Sequence, residues 1–362
     1  MSDYKGKKVY LGIDVHKKTY SIVAICDKQI IKKATIEAKP EALISYCQKH
    51  FSGAVIESAY EAGFCGFSLH RALLKAGINN HVVHAASIEI SARDRVKTDK
   101  RDALKIAVQL AAERLKDVFV PSVKRELYRA LTRLRITFLK NRTRLSCQIK
   151  SLLLYFGYTQ YYKKAKCSLK WVQSLLEMRE TNDVWYSIHQ LARAWVETDS
   201  KIKNIEKKIK LQAAEDIALE RVYRSVPGIG PTSARILANE LGNLQQFSNE
   251  KKLFSYIGLT PSEYSSGEHV RQGHISRQGR SLPRKILIQA AWTAVACDKR
   301  LQGLFEKLGK RIGHKRAIVA IARRLIGHIR ACFRTGCLYN ENNCLQTGEQ
   351  DEATMEAVTS MK

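Results

Sequence analysis

Three apolar runs of strand length open the chain in quick succession: KVYLGIDVHK, TYSIVAICD and QIIKKATIEA. The first two are closely joined, as in a hairpin, so the chain must begin by building a sheet. The period then changes. PEALISYCQKHF, with Pro40 just before a helical pattern, predicts a helix. GAVIESAYEA predicts a fourth strand, CGFSLHRALLKAG a helix ending at Gly77, and NNHVVHAAS a short fifth strand. DKRDALKIAVQLAAERL predicts a helix with Ala103, Ile106, Ala107 and Leu110 along one face.

Three meandering strands followed by helices and strands in βαβ style predict one sheet with helices packed on it over residues 1–120. The order is that of the ribonuclease-H-like fold. From 121 to 220 the pattern is helical and basic, with leucines at three-to-four spacing, as in an antiparallel helical arm or coiled coil. Its middle, LLLYFGYTQYYKKAKCSLKW, interleaves aromatic and basic residues. Tyr155, Phe156 and Trp171 either stack on bases or close the tip of the arm; both readings stay open. Residues 221–340 predict a third, mainly helical region with Gly and Pro punctuation. The tail, 341–362, has few large apolar residues and no periodicity, which predicts disorder. The expected class is therefore α/β followed by all-α.

Charge narrows the function. The net charge is +28 with a pI of about 9.8, and residues 260–335 hold 16 Lys and Arg against 4 acids. Such an excess points to a polyanionic partner, nucleic acid before an anionic membrane. No apolar run is long enough to span a bilayer. The N-terminus lacks the apolar core of a signal peptide. The 9 cysteines are scattered without zinc-ligand spacing, as expected of free thiols in a reducing cytoplasm.

Against that background the acids stand out. GIDVHK places Asp14 near the end of the first strand, and YEAGFCGF places Glu61 at the end of the fourth, with Glu57 a rival in the same segment. KTDKRDALKIA places Asp99 and Asp102 three apart at a helix start, on one helical face. Taken alone, these two are acids at the positive end of a helix dipole. Taken with Asp14 and Glu61, they make a carboxylate cage. Phosphodiester cleavage uses such a cage to hold two Mg²⁺ about 3.5–4 Å apart, and hard oxygen donors suit that ion. Asp99 can ligate metal and open the helix at once. Lys97, Lys100 and Arg101 lie beside the cage, positioned to hold a DNA strand. His16 either assists there or is a solvated strand-end histidine.

Two further stretches carry chemistry. In RSVPGIGPTSARILANELG, Gly228 and Gly230 precede a helix. Close glycines let a backbone approach a phosphate that the helix amides then bind; a tight turn between packed helices is the alternative. The stretch resembles a helix-hairpin-helix. In GLTPSEYSSGEHVRQGHISRQGRS, a polar segment expected to be a loop, Ser265 and Ser266 precede Gly267, with Arg271, Arg277 and Arg280 close behind. A serine attacks phosphorus when it is activated and cations hold the phosphate, but Ser-Ser-Gly is also ordinary loop sequence. The basic amphipathic stretch 314–335 offers Arg323, Arg324, Arg330 and Arg334 to follow phosphates.

LGIDVHK, YEAGFCGF and KTDKRDA resemble the N-terminal signatures of the DEDD insertion-sequence transposases, whose first domain is similar to the Holliday-junction resolvase RuvC. GLTPSEYSSG followed by RQG resembles the C-terminal transposase domain of the same family. The resemblance implies a metal-binding tetrad of Asp14, Glu61, Asp99 and Asp102, with Ser266 as nucleophile, Ser265 being the neighbour it could be confused with. It implies cutting and joining of DNA at element ends and target with Mg²⁺, and guidance by an element-encoded structured RNA. Metal and serine would then have to meet in one composite site, which favours a dimer or tetramer joined by the arm. The cell would be bacterial or archaeal and the protein cytoplasmic, with no membrane contact. Two other classes remain: a junction-resolving, Mg²⁺-dependent nuclease with an idle serine, and a non-catalytic nucleic-acid scaffold.

Overall fold

The computed structural model describes residues 4–84, 88, 99–163, 167–179, 182–263 and 272–339, with the backbone alone for Lys100 and Gln272. The chain divides into two compact units, 1–121 and 122–362.

The first unit is built on a five-stranded mixed sheet. Its strands are β1 (Lys8–Val15), β2 (Thr19–Cys26), β3 (Gln29–Glu37), β4 (Val55–Glu61) and β5 (Asn79–Val83). Their spatial order is β3-β2-β1-β4-β5. The first three strands run antiparallel, while β4 lies parallel to β1 and β5 parallel to β4. Alternation sorts the side chains to two faces. Val9, Leu11, Ile13, Ile22, Ile56 and Tyr60 turn to one face, where they form a core with α1 (Pro40–His50) and α2 (Ser68–Lys75) through Leu43, Cys47, Leu69 and Leu73. Burying these side chains contributes roughly 1.5–3 kcal/mol each. The opposite face receives α3 (Asp99–Ala111), whose Ala103 and Ala107 pack against Val23 and Ile25. The helix comes so close that a Cβ on Gly12 would drive into the Ala103 carbonyl oxygen and the Ala107 amide nitrogen. Small residues on both sides set this approach.

The second unit is mainly helical. Two long helices, α4 (Val123–Tyr155) and α6 (Asp183–Ala214), pair along their lengths. The pairing is antiparallel, because contacts advance on α4 as they retreat on α6. Arg135 bonds Glu206, Arg142 bonds Asp199, and Ser146 accepts from Trp195 Nε1 at 2.8 Å. Leucines were expected to make this seam. Instead Leu127 and Leu134 are exposed, and the middle of the seam combines ion pairs from Arg135 and Arg142 with Ile202, Ile205 and Ile209, buried on α6. Leucine spacing cannot show which stripe of a helix meets its neighbour. A larger apolar cluster lies at the far end, where Ile149, Leu153, Trp185, Ile188 and Trp195 pack with Trp171, Val172 and Leu175 of α5 (Leu169–Leu176). Trp171 thus closes the tip, while Tyr155 and Phe156 remain exposed.

The near end of α4 is rooted on α8 (Pro231–Leu241), which follows α7 (Ile217–Ser225). Arg129 is buried and donates to the carbonyls of Asn239 and Glu240 at 2.8 and 2.7 Å. Those last-turn carbonyls lack intrahelical partners, so the guanidinium satisfies them. Arg133 grips the Glu240 carboxylate with two hydrogen bonds. The remaining helices are α9 (Glu250–Ile257), α10 (Ser281–Cys297), α11 (Lys299–Ile312) and α12 (His314–Thr335). They share one core with α7 and α8 around Tyr223, Leu237, Leu253, Leu287, Ile321 and Leu325. Between α9 and α10 the expected loop is in part a two-stranded antiparallel ribbon, β6 (Pro261–Glu263) and β7 (Gln272–Ile275). Strands this short, without an apolar alternation, leave no periodicity to read. Residues 341–362, expected to be disordered, lie outside the described residues.

Candidate metal centre and nucleic-acid face

Asp14 is the seventh residue of β1, on the sheet face that receives α3, and Asp99 is the first residue of that helix. Between them stands His16. Its Nε2 lies 3.0 Å from Asp14 Oδ2 and 3.3 Å from Asp99 Oδ2. One ligand atom from each of the three comes within 4.8 Å of the others, the spacing of a metal-binding group. Asp102 is half-buried one helical turn on and accepts from Lys105 at 3.3 Å. The Asp14 carboxyl is pushed above its usual range, first by burial and then by the negative charges of Asp99 and Asp102, against the lowering effect of His16. A carboxylate whose charge is disfavoured in this way suits a cation. An oxygen-rich donor set of this kind fits a hard divalent ion.

Register decides between the two glutamates of β4. Ile13 pairs with Tyr60 and Tyr10 with Glu57. Glu61 is therefore one residue past the last pair, level with Asp14 and on the same face. Glu57 lies four residues back, about 13 Å along the strand from Asp14's level. It is also engaged elsewhere, accepting from Asn79 Nδ2 at 3.0 Å and facing His81 Nε2 at 3.2 Å. Glu61 is exposed, and no contact joins it to Asp14, His16 or Asp99 among the described residues. His16 is the member that sequence reasoning undervalued. It shares a three-residue span with Asp14, and only the arrival of α3 shows what it bridges.

Glu57, His81 and Asp117 form a second charged group away from the first. His81 Nδ1 lies 3.0 Å from Asp117 Oδ2, fastening residues 117–118 beside β5, where Val118 N donates to Val82 O. Burial lowers the imidazole pKa, but hydrogen bonds and charge from Asp117 and then Glu57 outweigh it and leave it raised above the ordinary 6.5. A raised folded-state pKa stabilises the fold at pH below the unfolded value, and that stabilisation disappears as pH climbs through the raised one. Thermal melts from pH 5 to 9 are therefore expected to show wild type losing stability above about pH 6.5 relative to His81→Phe. Parallel pH profiles for the two proteins would discard this account.

In the second unit, Gly228 has φ +79°, and a Cβ there would strike the Ala290 carbonyl oxygen of α10. Its missing side chain serves helix packing. Gly230, by contrast, is the N-cap of α8, and space is open at its α-carbon. Arg277 and Arg280 are exposed at the end of the ribbon and the start of α10. Two glycines cross at the base of the ribbon: Gly258, at φ +75°, and Gly279, whose Cβ would meet the Gly258 nitrogen and Tyr256 carbonyl. Lys97, Ser265, Ser266 and Arg271 lie outside the described residues, and Lys100 is placed only as a backbone position in α3. Arg101 is exposed in the same turn. Among the described residues no helix is long and apolar enough to cross a membrane.

The chain matches two family models. A DEDD transposase model covers residues 11–157, and one described as "Transposase IS116/IS110/IS902 family" covers 220–306. It is 26% identical over 347 residues to the transposase for insertion sequence element IS1533 of Leptospira borgpetersenii, covering 91% of this chain and 96% of the relative. It is 25% identical over 327 residues to the IS1111A transposase of Coxiella burnetii, covering 87% and 86%. A putative transposase of Sinorhizobium fredii, y4qE, is 26% identical over 305 residues, covering 81% and 73%. An acidic group on the face of a mixed sheet, with these matches at both ends of the chain, defines a DNA phosphoryl-transfer enzyme of the transposase class. The DEDD domain implies a divalent metal. More narrowly, the chain belongs to the IS110/IS116/IS902 family of insertion-sequence transposases.

Proposed function

We propose that this transposase cuts and rejoins DNA through a serine nucleophile assisted by a DEDD metal centre. The observation that carries the reading is the convergence of Asp14 and Asp99 around His16, with Asp102 one turn on. Asp14, Glu61, Asp99 and Asp102 would hold Mg²⁺, which neutralises charge developing on the attacking and leaving oxygens. Lys97, Lys100 and Arg101 would hold the scissile strand beside it. The sheet order supports a ribonuclease-H-like, RuvC-like domain over 1–120, followed by a coiled-coil arm at 121–220 and a C-terminal transposase domain at 221–340.

In that last domain Ser266 Oγ would attack phosphorus. The serine–phosphate bond forms as the bond to the 3′ oxygen breaks, and that oxygen leaves as a hydroxyl. Attack by another 3′ hydroxyl reverses the step, so rejoining needs no ATP. Arg271, Arg277 and Arg280 would hold the phosphate near the ribbon. Gly230 and the amides of α8, in a helix-hairpin-helix, would bind a backbone phosphate. The net charge of +28 exceeds what short DNA contacts need and supports a structured guide RNA as second partner. A homodimer or homotetramer in the bacterial cytoplasm completes the reading.

The test uses full-length protein, a duplex carrying the element's end, and its non-coding RNA. With Mg²⁺, wild type is expected to leave a protein–DNA adduct on denaturing gels, and EDTA or Ser266→Ala to abolish it. A Ser266→Ala protein that still recombines would sink the nucleophile assignment, and one that still cuts with Mg²⁺ while wild type leaves no adduct would favour the nuclease reading.

A further inference from the structure

The cations of the C-terminal helices are of two kinds. Some of those that the sequence offers to phosphates are used inside the protein. Arg330 is buried and donates to the carbonyls of Phe247 and Ser248 at 3.3 and 3.0 Å. Arg323 lies over the Phe254 ring, 4.6 Å from its centroid. Arg334 is exposed and Arg324 half-buried on the same helix. The second kind gathers where α11 turns into α12. Lys307, Lys310, Arg311, Lys315 and Arg316 are all exposed, five cations within ten residues. Among the described residues none of these five lies within ion-pairing distance of a carboxylate. Glu306 is the sole acid of the stretch 299–339, and it accepts from Gln302.

The elbow that presents them is fixed. Lys307, Lys310 and Arg311 share one face of α11 at spacings of three and four. Gly313, at φ 82°, turns the chain, and the His314 ring packs 5.5 Å from the Phe305 ring, where a Cβ on Gly309 would come within 3.2 Å of it. Lys315 and Arg316 then fall in the first turn of α12. Cations are disfavoured there by the helix dipole, and anions are favoured. Gly313, the N-cap, offers no side-chain acceptor to the first amides. A group that repels itself and carries unoccupied donors is completed by a run of negative charges.

We propose that the α11–α12 elbow is a contact surface for the phosphate backbone of duplex DNA. It rests on the reading of the chain as a DNA transposase but uses neither the metal centre nor the serine. It reads no base sequence. Its task is to hold and orient a duplex, so its contribution is salt-dependent.

The experiment measures binding of the full chain to a fluorescein-labelled DNA duplex of mixed sequence in EDTA, over about 50–300 mM KCl. Replacing all five cations by glutamine (Lys307→Gln, Lys310→Gln, Arg311→Gln, Lys315→Gln, Arg316→Gln) is expected to reduce the slope of log K against log salt by about 4. The charge-retaining swap of each Lys for Arg and each Arg for Lys is expected to keep the wild-type slope. Circular dichroism melts check that the glutamine variant is folded. A wild-type slope in the folded glutamine variant overturns the proposal. So does a variant that loses affinity for a hairpin RNA while its duplex binding is unchanged. Because the assay excludes metal, its failure leaves the cleavage experiment untouched, and failed cleavage leaves this result readable.

Discussion

Asp14→Asn is expected to abolish strand cleavage without weakening the fold. Loss of a ligand carboxylate removes charge stabilisation of several kcal/mol, about a thousandfold or more in rate. The effect on stability has the opposite sign. Folding places the Asp14 carboxylate in a partly buried site beside Asp99 and Asp102; burial and the two acids together outweigh the support of His16, so the net effect disfavours its charge. An amide of the same shape removes that conflict and can still accept from His16. In EDTA the variant should therefore melt at the wild-type temperature or above it. Adding Mg²⁺ should raise the melting temperature of wild type, because a ligand of the native state stabilises it, and should do so far less in Asp14→Asn. A variant that melts several degrees lower in EDTA would make this carboxylate a structural group.

Gly12→Ala is expected to be the most damaging single methyl group in the first unit. Its Cβ would overlap the Ala103 carbonyl oxygen and Ala107 amide nitrogen and lie 2.8 Å from the Ala107 Cβ. Overpacking usually costs about 1–3 kcal/mol because side chains can shift. Here the obstacle is backbone on both sides, so the cost should reach at least about 3 kcal/mol, or α3 must move off the sheet. Either outcome carries Asp99 and Asp102 away from Asp14, so activity is lost with it. Urea unfolding followed by far-ultraviolet circular dichroism checks this. A midpoint equal to that of wild type would mean that α3 does not pack on β1 as closely as described.

How far the sequence could be read follows from what each element depends on. The strands and helices of the first unit are legible because each is amphipathic in its own period, and sheet order follows from a meander and two βα steps. The acids Asp14, Asp99 and Asp102 are legible because they interrupt apolar or basic runs. His16 is not, since its role depends on a helix that begins more than eighty residues later. The seam of the arm is legible on one helix only. α6 carries a buried stripe at three-to-four spacing, Ile188, Ala192, Trp195, Ile202, Ile205 and Ile209, broken by Asp199, whereas α4 answers it in part with arginines such as Arg142, and its visible leucines Leu127 and Leu134 face away. Arg323 and Arg330 look like surface cations in sequence because their partners, Phe254 and the Phe247 carbonyl, belong to another part of the chain. Cations reveal themselves as available only once packing has claimed the others.

The arm's seam has one more consequence. Tyr128, Arg135, Arg142 and Ile149 recur at seven-residue intervals on α4, and the first three bond Glu215, at the C-cap of α6, and Glu206 and Asp199 within that helix. The root is fixed by Arg129 and Arg133, and the tip by its tryptophans. Nothing between them depends on total length. Seven residues added to each helix would preserve every pairing and move the tip outward by about 10 Å. The seam thus repeats in whole heptads, so its length and its two anchored ends are separable features of one hairpin.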